Sequence, residues 1–207
     1  MKIAVIAANG RTGKAFVSKA LKKGHQIRAG VHRKNNLFAD PNLEVVQCDA
    51  SLESDLKNLI KGQDAVVSFI GHNKGSLKDV QTNAMKQLNK AMKDEGLKRI
   101  VSLTGTGVRY PGDQITIMDR ILNFSINLID PARIKDGINH ARFLEQSDLD
   151  WTILRVLKLS NTPEKPFNLK EHGPTKLYVS REEVANAALL VLEQKSFIKK
   201  APILSKI

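Results

Sequence analysis

The stretch Lys2-Ile3-Ala4-Val5-Ile6-Ala7-Ala8-Asn9-Gly10-Arg11-Thr12-Gly13-Lys14-Ala15-Phe16-Val17 carries the reading of the fold. Its opening, Lys2–Ala8, is a short apolar run without alternation, the pattern of a strand buried on both faces. A helix is predicted over Thr12–Lys23, with Phe16, Val17, Ala20 and Leu21 on one face. Gly24 then stands where a left-handed C-terminal cap belongs. Between strand and helix lies Ala7-Ala8-Asn9-Gly10-Arg11-Thr12-Gly13. A strand that turns tightly into a helix leaves free N–H groups at the helix start. Those donors and the helix dipole attract a phosphate. Glycine is needed where backbone approaches a pyrophosphate and where helix meets strand, which suits Gly10 and Gly13.

The rest of the chain repeats the alternation. Strands are predicted at Gln26–Val31, Leu43–Cys48, Ala65–Ile70, Arg99–Thr104 and Trp151–Val156. A short helix is expected over Leu52–Ile60. A longer one carries Val80, Ala84, Leu88 and Ala91 at helical spacing and closes at Gly96. Asp130-Pro131 is a helix start with an acid cap and proline at the first position, and Ile134, Ile138, Ala141 and Leu144 form its inner stripe. Ser180 and Glu183 form a capping box ahead of Val184, Ala187, Ala188 and Val191. Apolar strands alternating with helices specify an α/β fold, a doubly wound parallel sheet of Rossmann type with strand order 3-2-1-4-5-6. The expectation is one domain over residues 1–207. Pro163, Pro166 and Pro174 break an excursion at about 158–178, expected on the substrate side.

Composition narrows the function. A hydrophobic fraction of 42% against 26% charged residues is that of a folded globule, and the lone Cys48 excludes an internal disulfide. The apolar run after Met1 is too short for a signal peptide, and Asp119 and Arg120 interrupt the run from Ile115 to Ile129; a cytoplasmic protein without membrane contact is expected. The net charge of +12 is spread thinly, with no basic block and only 5% aromatics to stack on bases, so no nucleic-acid partner is expected. His25, His32, His72, His140 and His172 show no ligand spacing, so no metal site is expected.

Ala7–Gly13 resembles the Gly-x-x-Gly-x-x-Gly loop of extended and atypical short-chain dehydrogenase/reductases. It is most similar to their small NAD(P)H-binding, NmrA-like and flavin/biliverdin reductase B-like members. Further matches are Arg33, Cys48-Asp49-Ala50, Ser68-Phe69-Ile70-Gly71, Trp151-Thr152-Ile153-Leu154-Arg155 and Ser180-Arg181-Glu182-Glu183-Val184-Ala185, so the resemblance runs from Met1 to about Leu192. It implies a dinucleotide held by Ala7, Asn9, Gly10, Arg11, Thr12 and Gly13. Asp49 and Ala50 would lie at the adenine, and Phe69, Ile70 and Gly71 beside the ribose and pyrophosphate. Ala7 replaces the family's first glycine, so the turn must accept a methyl group, which calls for negative φ.

The second strand ends Gly30-Val31-His32-Arg33-Lys34, with no acid before Asp40. An NAD enzyme usually carries an acid there for the ribose, whereas a cation suits a 2′-phosphate. With Arg11 approaching from the loop, NADP(H) is the expected cofactor. No Tyr-x-x-x-Lys exists: Tyr110 is followed four residues on by Gln114 and Tyr178 by Glu182. In the helix where the family carries that pair, the aligned residues are Ile138 and Arg142. Two readings follow. In one, the resemblance implies a reductase passing hydride from NADPH to a flavin, quinone or similar conjugated small-molecule acceptor. Thr104 and Thr106 would then lie near the nicotinamide, His140 and Arg142 would face the acceptor, and Arg109 would meet an anionic substrate. In the other, the chain is a non-catalytic NADP(H) sensor of NmrA-like type that binds a partner protein.

Overall fold

The computed structural model describes residues 1–33, 35–73 and 75–205. A parallel sheet forms from β1 (Lys2–Ile6), β2 (Gln26–Val31), β3 (Leu43–Gln47), β4 (Ala65–Ser68), β5 (Arg99–Gly105) and β6 (Asp150–Val156) in the order β3-β2-β1-β4-β5-β6. That is the expected doubly wound order. Two strands absent from the sequence reading extend it past β6. β10 (Ile203–Ser205) pairs parallel with β6, and β8 (Asn168–Lys170) pairs antiparallel with β10. Three-residue strands carry too little periodicity to be read locally, and Pro202 disguises the second of them. Their partners come from tertiary contact: Ile153 N–H donates to Lys200 O and Arg155 N–H to Pro202 O.

Helices cover both faces. On one lie α1 (Arg11–Lys22) and α6 (Arg181–Glu193); Phe16, Val17 and Ala20 meet Val184, Ala187, Ala188 and Val191 over Ile3 and Val5. Phe16 is fully buried, a contribution of roughly 2–3 kcal/mol. On the other lie α2 (Glu53–Ile60), α3 (Val80–Asp94) and α5 (Pro131–Glu145), which bury Leu56, Leu59, Met85, Leu88, Ala141 and Leu144 against Ala4, Ile6 and Val66. The expected caps are present. Gly24 and Gly96 take positive φ, Asp130 accepts from Arg133 N–H, and Ser180 and Glu183 close a reciprocal capping box.

Helix α4 (Ile117–Ile129) occupies the apolar run considered above only as a membrane segment. Its amphipathicity is inverted. Asp119 and Asn123 are buried, while Ile117, Ile121, Phe124 and Leu128 are 78%, 52%, 65% and 69% exposed. Among the described residues no helix is long and apolar enough to cross a membrane.

The excursion between β6 and α6 is tied down at its root, where β7 (Lys158–Ser160) pairs parallel with β9 (Tyr178–Ser180). Buried Glu183 accepts from Lys176 Nζ at 2.7 Å and Lys165 N–H at 3.1 Å. Arg155, 1% exposed, is a hub: its guanidinium forks onto Asp113 and also donates to the carbonyls of Val108, Glu171 and Ala201.

Candidate functional site

In a doubly wound sheet, ligands bind outside the carboxyl ends of the strands where the order reverses, here between β1 and β4. At the carboxyl end of β1, Ala7 adopts φ +59, not the negative φ expected from its side chain. The turn needs a left-handed residue to swing the Ala7 carbonyl onto Gly10 N–H, which donates to it at 3.0 Å. The methyl costs about 1–2 kcal/mol relative to a right-handed conformation, and Ala8 N–H anchors the turn by donating to Gly30 O at 3.2 Å. Gly10 caps α1 with extended dihedrals and no side-chain acceptor, so the N–H groups of the first turn receive no side-chain cap.

Gly13 is required by space. A Cβ there would lie 2.4 Å from Ala7 O and 2.7 Å from Ala8 O, and one at Gly10 would lie 3.1 Å from Ala7 O. Gly13 thus lets α1 start directly against the turn that ends β1, and the uncapped N–H donors of that helix start fit a dinucleotide pyrophosphate. Thr12 and Gly13 are buried, Asn9 is half-buried, and Arg11 is exposed. The charged neighbour of Arg11 is Arg181, first residue of α6; burial, then the Arg11 charge, lowers the Arg181 guanidinium pKa.

Beyond β2, His32 and Arg33 are exposed, and Arg33 makes no ion pair among the described residues; Lys34 lies outside them. Asp49 is partly committed. Its Oδ1 accepts from Ser51 N–H at 2.9 Å and Ser51 Oγ at 2.7 Å, which holds the carboxyl below its usual range, and Oδ2 stands 3.6 Å from His32 Nδ1. Ala50 packs on the core beside it. Cys48 is buried, its thiol pushed up to about 12 chiefly by burial. After β4, the Phe69 ring packs on Phe16 at 5.5 Å, Ile70 packs on the opposite core, and Gly71 is exposed in open space.

At the end of β5, Thr104 and Thr106 are buried. Thr106 Oγ1 accepts from Asn123 Nδ2 at 3.2 Å, and Asn123 in turn donates to Asp119 at 2.9 Å. Arg109 Nη2 donates to the same carboxylate at 2.8 Å. Arg109 is therefore engaged with α4, contrary to its expected role as a substrate contact.

Helix α5 corrects one further expectation. His140 does not face an acceptor: it is 2% exposed, and burial drives its pKa down to about 4 against the pull of Asp136. Arg142 points to solvent. The reason is the helix's rotation. Asp136, Gly137, His140, Ala141 and Leu144 form the inner face, and Gly137 packs so closely that a Cβ would lie 2.9 Å from Thr104 Oγ1.

That rotation assembles a constellation the sequence did not suggest. The Asp136 carboxylate is fully buried and accepts from Gln81 N–H at 2.9 Å, Thr82 N–H at 3.0 Å, Thr82 Oγ1 at 2.5 Å and His72 Nε2 at 2.9 Å. Asp136 thereby caps α3 from a neighbouring helix, while the cap residue Asp79 makes no side-chain bond. Gln81 Nε2 donates to Ile70 O at 2.9 Å and Leu103 O at 3.2 Å, joining the ends of β4 and β5. The available signal was polar Asp136 and His140 at core spacing with Leu144.

A concavity of about 450 Å³ at the opposite, amino end of the sheet is lined by Gln26, Arg28, Asn42, Glu44 and Gln63. Arg28 there is spent on Glu44 and on the Asn58 and Lys61 carbonyls, so the carboxyl end remains the site.

Residues 7–195 match the model of a family described as NAD(P)H-binding. The chain belongs to that NAD(P)H-binding family. Within its range fall the Ala7–Gly13 loop, Arg33, Asp49 and the ends of β4 and β5. Among similar proteins, the uncharacterised YwnB of Bacillus subtilis strain 168 is 28% identical over 94% of this chain and 92% of its own. Two solved structures share the fold. One, from Streptococcus pneumoniae TIGR4, carries the provisional name NADH-flavin reductase (TM-score 0.80, 23% identity, 100% of both chains). The other is a short-chain dehydrogenase/reductase from Veillonella parvula DSM 2008 in complex with NADP (TM-score 0.82, 17% identity, 99% of this chain and 94% of that one).

Proposed function

We propose that this NAD(P)H-binding protein is an NADPH-dependent reductase of a flavin, a quinone or a similar conjugated acceptor. The observation that carries the cofactor choice is Arg33, exposed and without an ion-pair partner among the described residues where an NAD enzyme would place an acid. Its guanidinium suits a 2′-phosphate dianion. The N–H groups opening α1 would hold the pyrophosphate, and Phe69–Gly71 would border the ribose. NADPH, when bound, supplies the hydride. The chain's own task is then to align two flat rings and exclude water, which needs no Tyr-x-x-x-Lys pair.

The test is a fluorescence titration with NADPH and NADH, followed by addition of FMN or a quinone dye. The expected result is preferential NADPH binding with acceptor-dependent oxidation. Arg33→Asp should weaken NADPH at least tenfold, the scale of one lost charge-assisted bond of about 1.5–3 kcal/mol, and leave NADH nearly unchanged. Equal losses for the two nucleotides would refute the role given to Arg33. One feature favours the sensor reading instead: the exposed apolar face of α4 is a surface a partner protein could cover. NADPH binding without turnover would move the assignment there.

A further inference from the structure

We propose that His72, held by Asp136, is the proton donor of this site, standing in for the missing tyrosine–lysine pair. The inference rests on the reductase reading. His72 follows Gly71 in the loop that leaves β4, the strand beside β1, and so stands at the crevice where the order of the sheet reverses. Its Nε2 bonds to Asp136 at 2.9 Å, and Asp136 is locked by three further donors from the start of α3. A carboxylate that fixes one ring nitrogen sets both the tautomer and the direction of the other, as in any oriented histidine base or acid. Nδ1 makes no hydrogen bond to a described residue. Asp136 is the charged group facing the ring. His140 lies one helical turn beyond it, and Lys78 and Asp79 are exposed ahead of α3.

The step balances as NADPH + acceptor + H⁺ → NADP⁺ + reduced acceptor. The hydride carries two electrons to the acceptor. The Nδ1–H bond of a His72 imidazolium breaks as an O–H or N–H bond forms on the acceptor's carbonyl oxygen or ring nitrogen, and water returns the proton to His72. The Asp136 bond keeps the ring in place through both charge states.

His72→Gln is the informative variant, because glutamine retains an N–H for Asp136 but cannot titrate. Expected are unchanged NADPH affinity, a fall in kcat of about 100-fold, as for loss of a general acid, and a flatter dependence of kcat on pH than that of the wild type. Independently of turnover, the His72 ring signal in ¹H–¹³C NMR, identified by its absence in His72→Gln, should shift on adding NADP⁺. Undiminished kcat with an unchanged pH profile in the variant, or a ring signal indifferent to NADP⁺, overturns the assignment of His72 alone. Wild-type protein that binds NADPH but reduces neither FMN nor quinone overturns the reductase reading, and the donor with it.

Discussion

Gly13→Ala tests the proposed phosphate site most directly. The added Cβ would lie 2.4 Å from Ala7 O, 2.7 Å from Ala8 O and 2.8 Å from the Ala8 carbonyl carbon. All three are backbone atoms, so no side chain can rotate away; α1 must lift or the turn must open. Overpacking of this kind costs about 1–3 kcal/mol, and the rigid neighbours put it near the upper end. With a urea slope of about 2–3 kcal/mol per molar, the unfolding midpoint should fall by about 1 M. The same displacement draws the helix-start N–H groups out of line, and NADPH affinity should fall at least tenfold. Gly24→Ala is the control. Its site has φ +79 but nothing within 4 Å of the added carbon, so only the conformational cost of about 1 kcal/mol applies and NADPH binding is unchanged. A Gly13→Ala midpoint no lower than that of Gly24→Ala would refute the reasoning.

Two other perturbations probe the buried polar groups. Above about pH 6.5 the His140 ring is neutral both folded and unfolded; below it the unfolded chain takes up a proton that the buried ring refuses until about pH 4. This group therefore removes about 3 kcal/mol of stability between pH 6.5 and pH 4. Urea unfolding at pH 7.5, 5.5 and 4.5 should show a shallower acid loss in His140→Leu, and parallel curves would contradict it. Arg155→Met strands the Asp113 carboxylate, 4% exposed, and empties the hub joining the Val108–Asp113 loop to the Glu171 and Ala201 carbonyls. A loss of about 3–5 kcal/mol is expected; a urea-measured loss below about 1 kcal/mol would mean the hub is not structural.

The parallel sheet and its order were legible because each strand from β1 to β6 is a largely apolar run bounded by turn chemistry, and three of the helix ends are written in two to four adjacent residues. Gly24, Asp130-Pro131 and Ser180 with Glu183 act through bonds to their own helix, so no distant partner decides them. The tight turn from β1 into α1 was legible for the same reason, down to the need for Gly13. Arg33 at the end of β2 also follows from position along one strand.

Tertiary structure alone decided the rest. The φ of Ala7 depends on closing a turn onto Gly10 while Ala8 is anchored to β2. The short strands β8 and β10 exist only because β6 offers them an edge. Whether a polar residue on α5 serves catalysis, capping or the core depends on the helix's rotation against α3 and β5. That rotation buries His140, leaves Arg142 in water and brings Asp136 to His72, 64 residues away in the chain. Spacing in a sequence reports which residues share a face. It does not report what that face meets, because the partner's position is set by the packing of the whole sheet.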